Sequence, residues 1–127
     1  MPATAQDMID AVNRYFDCVD AMDVPGTMAV LTPDCTLEIM TAKVVHKGHD
    51  AIRAMFEKRL TVTASGAHTD RSHTTDPARG FSACRFRAQS QEKDGTTRDR
   101  YNINFFEFEG KLIRRAQVWM VGDNTLK

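Results

Sequence analysis

The chain changes its hydrophobic period once, near the middle, and that change most narrows what it can fold into. Between Met8 and Met22 the apolar residues are Met8, Ile9, Val12, Tyr15, Phe16, Val19 and Met22. Their steps are mostly of three and four, which makes one stripe along a helix. After Ser65-Gly66 the texture turns to stretches of Thr, Phe, Arg and Tyr. Those stretches are divided by Asp76-Pro77-Ala78-Arg79-Gly80, Asp94-Gly95 and Glu109-Gly110, all hairpin signals. Helices first and a long meander second predict an α+β domain, with three N-terminal helices packed on a curved, mostly antiparallel sheet.

Local signals place the elements. Thr4 followed by Asp7 caps the first helix, and Val24-Pro25-Gly26 ends it. Pro25 opens a short second helix through Met28 and Leu31, and Thr32-Pro33-Asp34 breaks it. Cys35 to Met40 reads as a strand, with Val44-Val45-His46 as its short partner. Gly48 leads into a third helix whose buried face is Ile52, Met55, Phe56 and Leu60. Lys111 to Val121 is the last strand. With 127 residues and no repeat or linker, the chain is expected to be one domain, 1–127.

Composition removes several classes of partner. Seventeen basic residues balance seventeen acidic ones, so there is no pull toward nucleic acid or an anionic membrane. No run of eighteen apolar residues exists, and the first residues do not read as a secretory signal. Cys18, Cys35 and Cys84 are scattered and odd in number. They are expected to be reduced, buried thiols of a cytoplasmic protein.

Several strings, taken in order, resemble the nuclear transport factor 2-like (NTF2-like) superfamily, which includes ketosteroid isomerase and the SnoaL polyketide cyclases. They are Asn13-Arg14-Tyr15-Phe16-Asp17 through Asp23, Leu31-Thr32-Pro33-Asp34-Cys35, and Gly48-x-x-x-Ile52-x-x-x-Phe56. Phe108-Glu109-Gly110-Lys111-Leu112-Ile113 and Gln117-Val118-Trp119 complete the set. The resemblance spans about Asp7 to Val121 and implies a cone-shaped NTF2-like fold. It also implies a homodimer through the sheet.

Against ketosteroid isomerase, Tyr15 falls on the oxyanion-hole tyrosine and Trp119 on a pocket tryptophan. The second oxyanion donor of that enzyme, a protonated aspartic acid, falls on Asn102, and its general base falls on Ile39. Glu38 is one residue away, hence on the other face of a strand. A steroid isomerase is therefore not expected. Dehydratases of this fold resemble the chain better, since the bile-acid type has the Tyr15–Asp20 spacing and a histidine where His68 stands. Epoxide hydrolases of the fold use Arg-x-Asp where this chain has Arg100-Tyr101-Asn102, without the carboxylate.

Those positions give the candidates. Tyr15 and Asn102 would steady a developing oxyanion. His68, oriented by Asp20, would move the proton. His73 lies five residues after His68, so in an unbroken strand only one of the two faces the cone. Phe16, Met55, Phe56, Arg100 and Trp119 are the expected substrate contacts, with Arg100 able to hold a carboxylate or enolate. The remaining strand arginines, Arg85, Arg87, Arg98, Arg114 and Arg115, are expected to form a solvated face or salt bridges across strands, with Glu92, Asp99 and Glu107 as available partners.

His46 and His49 straddle a glycine turn without a third ligand at a recognised spacing, so no metal is expected. The expected function is a lyase or isomerase of the dehydratase or cyclase kind. It would act beside a carbonyl on a small apolar or cyclic molecule, with no cofactor. A non-catalytic ligand-binding or association module is the alternative.

Overall fold

The computed structural model describes residues 2–127. Helix α1 spans Ala5–Asp20, α2 Val24–Ala29 and α3 Gly48–Leu60. The strands are β1 Leu31–Ile39, β2 Val44–Lys47, β3 Thr63–Asp76, β4 Phe81–Glu92, β5 Thr97–Glu109 and β6 Leu112–Trp119. They form one six-stranded sheet in the order β2-β1-β6-β5-β4-β3, antiparallel except where β1 meets β6. Three helices on a curved, mostly antiparallel sheet make the α+β NTF2-like cone expected from the sequence.

Helix α1 starts where its cap predicts. Thr4 Oγ1 accepts from the Asp7 N–H at 3.1 Å, and the Asp7 carboxylate accepts from the Thr4 N–H at 3.0 Å. This reciprocal pair satisfies two of the first-turn donors. The stripe then buries Met8, Val12, Tyr15, Phe16 and Cys18. Asp23 caps α2 by accepting from the Gly26 N–H at 2.9 Å, and Pro25 sits in its first turn. The first strand begins earlier than expected, at Leu31. Pro33 and Asp34 lie exposed in an irregularity between Leu31 and Thr36, the kind of place where a strand tolerates proline.

The core lies between the helices and one face of the sheet, with Phe16, Phe106, Leu37, Ile39, Ile52 and Ile113 sealed from solvent. Helix α1 packs on β3 and β4, whereas α3 packs on β1 and β2. Between those two supports the inner face of the sheet is left for a hollow. Register shifts between Thr69 and Ser72 and between Glu107 and Phe108 bend the strands around it. Residues 120–127 turn back across its mouth, and Thr125 and Leu126 line it.

Candidate functional site

The hollow is a cavity of about 120 Å³, comparable to an apolar cavity that accepts one aromatic ring, roughly 150 Å³. Its wall includes Tyr15, Phe16, Asp20, Phe56, His68, Phe86, Arg100 and Asn102. All four expected catalytic residues are therefore brought to one enclosure.

Asp20 and His68 form its most defined polar contact. Asp20 Oδ1 lies 2.5 Å from His68 Nδ1, and Oδ2 accepts from the His68 backbone N–H at 2.9 Å. A carboxylate only accepts, so it fixes the proton on Nδ1 and leaves the Nε2 lone pair free. The imidazole lies nearly parallel to Phe16, with ring centres 4.7 Å apart and planes at 23°. Arg71 braces this pair. Its Nε donates to the His68 carbonyl at 2.8 Å, its Nη2 donates to Asp17 at 2.8 Å, and Nη2 stands 3.6 Å from Asp20. Three carboxylates near a helix C-terminus oppose the dipole, and each has a use here. Asp20 holds His68, Asp17 holds Arg71, and Asp23 caps α2.

Arg71 was invisible in the strand pattern because it lies in a bulge. Asp70 adopts φ +52°, and the register slips between Thr69 and Ser72. The slip reverses the alternation, so His68 and His73 both turn toward α1. His73 Nε2 bonds Asn13 Oδ1 at 3.0 Å, outside the cavity lining. Burial, and then the nearby Arg71 charge, hold the His73 imidazole below the ordinary range.

Tyr15 is buried, with Phe16, Phe56 and Phe106 around its ring at edge-on angles. Desolvation, with Cys35 nearby, raises its phenol above the usual value. It therefore stays protonated and able to donate at neutral pH. Asn102 Oδ1 accepts from the Val121 N–H at 2.9 Å, which leaves its NH₂ as the free donor.

Three of the expected substrate contacts, Arg100, Trp119 and Met55, differ. Arg100 lines the cavity, but its Nη1 donates to the Val121 carbonyl at 2.6 Å and the Asp123 carbonyl at 2.7 Å. Those bonds strap the C-terminal segment down and occupy Nη1, while Nη2 reaches Thr125 Oγ1 at 3.4 Å and Nε is buried without a partner among the described residues. Trp119 lies on the opposite face, because the inward positions of β6 are Ala116 and Val118. One residue of strand reverses a side chain, and Met120 fills the cavity wall instead. Met55 is core packing rather than cavity lining, while its neighbour Phe56 does line it. His46 and His49 each bond a backbone carbonyl, of Leu126 at 2.8 Å and Leu31 at 3.0 Å.

Four of these strand arginines form salt bridges, with Arg87 on Asp99, Arg98 on Glu92, and Arg114 and Arg115 on Glu107, while Arg85 is exposed to solvent. The three thiols are free and buried. Burial is the main reason Cys35 is pushed up to about 12 and Cys84 to about 11, which makes both poor nucleophiles. Among the described residues, no helix is long and apolar enough to cross a membrane. Asn104, Phe86 and Gln89 also line the cavity. Asn104 and Phe86 hold inward strand positions, whereas Gln89 has the opposite parity on β4 and is exposed; nothing in their spacing marked them as site residues.

Solved structures share this architecture. A candidate polyketide cyclase from Xanthomonas campestris pv. campestris superposes with a TM-score of 0.83 at 13% identity, covering 93% of each chain. TerC, crystallised with polyporic acid, gives 0.77 at 14% identity over 88% of this chain and 89% of its own. A protein with a ketosteroid isomerase-like fold from Catenulispora acidiphila DSM 44928, in complex with trimethylamine, gives 0.78 at 10% identity, covering 87% of this chain and 85% of its own. No functionally curated protein matches the chain in sequence. The profile of the SnoaL-like domain, however, matches residues 12–116, from the middle of α1 to the inward Ala116 of β6, and by that match the chain belongs to the SnoaL-like domain family.

Proposed function

We propose that the protein is a cofactor-free lyase or isomerase, of the dehydratase or cyclase kind, working beside a carbonyl on a small, largely apolar ring. The observation that carries this reading is the Asp20–His68 pair, with its Nδ1–Oδ1 distance of 2.5 Å, at the wall of an apolar cavity that Tyr15 and Asn102 also line. His68 Nε2 takes a proton from the carbon next to the carbonyl. The electron pair moves onto oxygen, where the Tyr15 hydroxyl and the Asn102 NH₂ donate to it. Asp20 stabilises the imidazolium formed. The proton then returns to another carbon in an isomerisation, or leaves with a hydroxyl as water in a dehydration. The apolar wall keeps the enolate from bulk water.

The test is solvent exchange. Cyclic ketones incubated in D₂O with the protein should gain deuterium next to the carbonyl. His68→Ala should lower the rate by about 10²–10⁴, and Tyr15→Phe should lower it as well. Equal rates in the wild type and both variants would overturn the assignment. A binding-only role is the second reading, favoured by Ile39, an apolar residue sealed in the core where ketosteroid isomerase carries its base. It predicts ketone binding with no exchange in any of the proteins.

The same reading includes a cytoplasmic protein, supported by three free thiols. It also includes a homodimer through the sheet, supported by the exposed apolar side chains of Val45, Tyr101, Ile103 and Trp119.

A further inference from the structure

The cavity has room for about one ring, so a longer substituent of a bound molecule must leave it. Arg59 and Thr125 mark one way out, because both line the cavity and also an outer cleft of about 330 Å³. Arg59 lies in the last turn of α3, and its side chain is only 16% exposed. Its Nη1 donates to Glu92 Oε1 at 3.0 Å, and Glu92 lines the cleft but not the cavity. The guanidinium therefore stands where the two meet. Its other edge, Nε with Nη2, offers two parallel donors spaced for a planar carboxylate. Arg87, Arg98 and Arg115 each spend that edge on a carboxylate, of Asp99, Asp123 and Glu38, at 2.6–3.2 Å. On Arg59 neither atom has a partner among the described residues, and neither is sealed from solvent. A ligand can reach it.

The surrounding charge favours an anion at that edge. Arg59 and Arg98 share a single oxygen, Glu92 Oε1, at 3.0 and 2.6 Å, and Arg98 and Arg100 share Asp123. Two carboxylates thus serve three guanidiniums, and Lys58 adds a further positive charge to the cleft. The Arg98 charge also reaches Asp94, which lies outside the cleft lining. Burial first, and then the charges of Arg98 and Arg59, hold the Arg100 guanidinium below its ordinary value against the pull of Asp123. Carbonyls at the end of a helix would repel an anion. Here those of Lys58 and Arg59 accept from the Thr61 and Thr63 hydroxyls at 2.7 and 2.8 Å.

We propose that the Nε–Nη2 edge of Arg59 binds the carboxylate of a ring keto acid, whose ring lies in the cavity and whose short tail passes Thr125 into the cleft. The ketone in the cavity rests on the acid–base reading above, whereas the carboxylate contact stands apart from it. Two parallel charged hydrogen bonds fix the tail in direction as well as in place. The anchored tail then presents the ring carbonyl to Tyr15 and Asn102 in one pose.

The experiment compares 3-(2-oxocyclohexyl)propanoate with its methyl ester at pH 7, with dissociation constants read from backbone amide shifts. The two share ring and tail and differ in charge. The acid should bind about tenfold more tightly, and it should move the Arg59 Nε–H signal where the ester does not. Arg59→Gln leaves Glu92 its Arg98 partner and should bring the two ligands to within about twofold. Arg59→Lys repeats the test should the glutamine variant not fold, and its point ammonium should hold the preference to about threefold or less. Arg114→Gln removes an equal charge from an exposed position on β6 and should keep the full preference. Equal binding of acid and ester by the wild type, a full preference surviving in the Arg59 variants, or one lost as much in Arg114→Gln would each overturn the proposal. The same titration in His68→Ala separates this inference from the reaction. An acid preference kept there, with no deuterium exchange in the wild type, leaves the carboxylate site standing and removes the catalysis. Exchange without an acid preference does the reverse.

Discussion

Asp20 grips His68 at two points, the ring Nδ1 at 2.5 Å and the backbone N–H at 2.9 Å, across 48 residues of chain. One carboxylate therefore fixes both the tautomer of the imidazole and the position of the strand that carries it. Asp20→Asn keeps an oxygen for the backbone N–H but loses the anion that stabilises an imidazolium. Deuterium exchange should fall by about 10²–10⁴ while the fold persists. The Asp20→Asn/His68→Ala double variant should be no slower than His68→Ala alone, because residues acting as one unit are not additive.

Arg71 holds the bulge that presents His68. Its donors reach the His68 carbonyl, Asp17 and Asn13 at 2.8–3.3 Å, and its guanidinium covers the Phe16 ring at 5.3 Å. Arg71→Ala should cost about 1–3 kcal/mol in urea unfolding. Arg71→Lys should recover little of it, since a point ammonium cannot span a planar fork of acceptors.

The buried Tyr15 phenol makes stability sensitive to alkali. Its folded value is raised, first by desolvation and then by Cys35, above the unfolded value of about 10. Above that pH the unfolded chain sheds the proton while the folded one keeps it. The unfolded state then binds fewer protons, and stability falls as pH rises. The contribution is complete below about pH 10 and is lost above it. Chemical denaturation from pH 8 to 11.5 should show a steeper decline in the wild type than in Tyr15→Phe.

The C-terminal strap depends on Gly122. Its φ is +78°, and a Cβ there would stand 3.3 Å from Arg100 Nη1. Gly122→Ala combines left-handed strain, about 1–2 kcal/mol, with displacement of the arginine that holds Val121 and Asp123. Hydrogen exchange at 121–126 should accelerate, while the strands of the sheet stay protected.

Trp119 stands opposite Ile103 in the ladder between β5 and β6, and both are exposed on the outer face. Sedimentation should give a dimer, and Trp119→Arg should give monomers with an intact cavity. A wild-type monomer at both low and high concentration would refute the association.

Local pattern sufficed for the helices and hairpins. The stripe from Met8 to Val19, the Thr4–Asp7 cap and the glycine turns each act over a few residues, so their outcome is written where they stand. That Tyr15, Asp20, His68 and Asn102 line one cavity was legible through resemblance and strand parity together. Trp119 was misplaced because the correspondence was one residue out of phase, and phase is all that decides the face of a strand.

His73 shows the limit of counting by twos. The bulge at Asp70 turns both histidines toward α1, and no local signal there announced it. Arg71, Asn104 and the strap over the cavity share that character, because their partners lie tens of residues away and depend on how α1 and the C-terminal segment dock. The sequence alone determined which elements form and which faces are apolar, since propensity, capping and period are properties of neighbouring residues. Only the tertiary structure decided which polar groups meet inside the hollow. Those meetings depend on where the sheet bends and on which buried atoms find a partner.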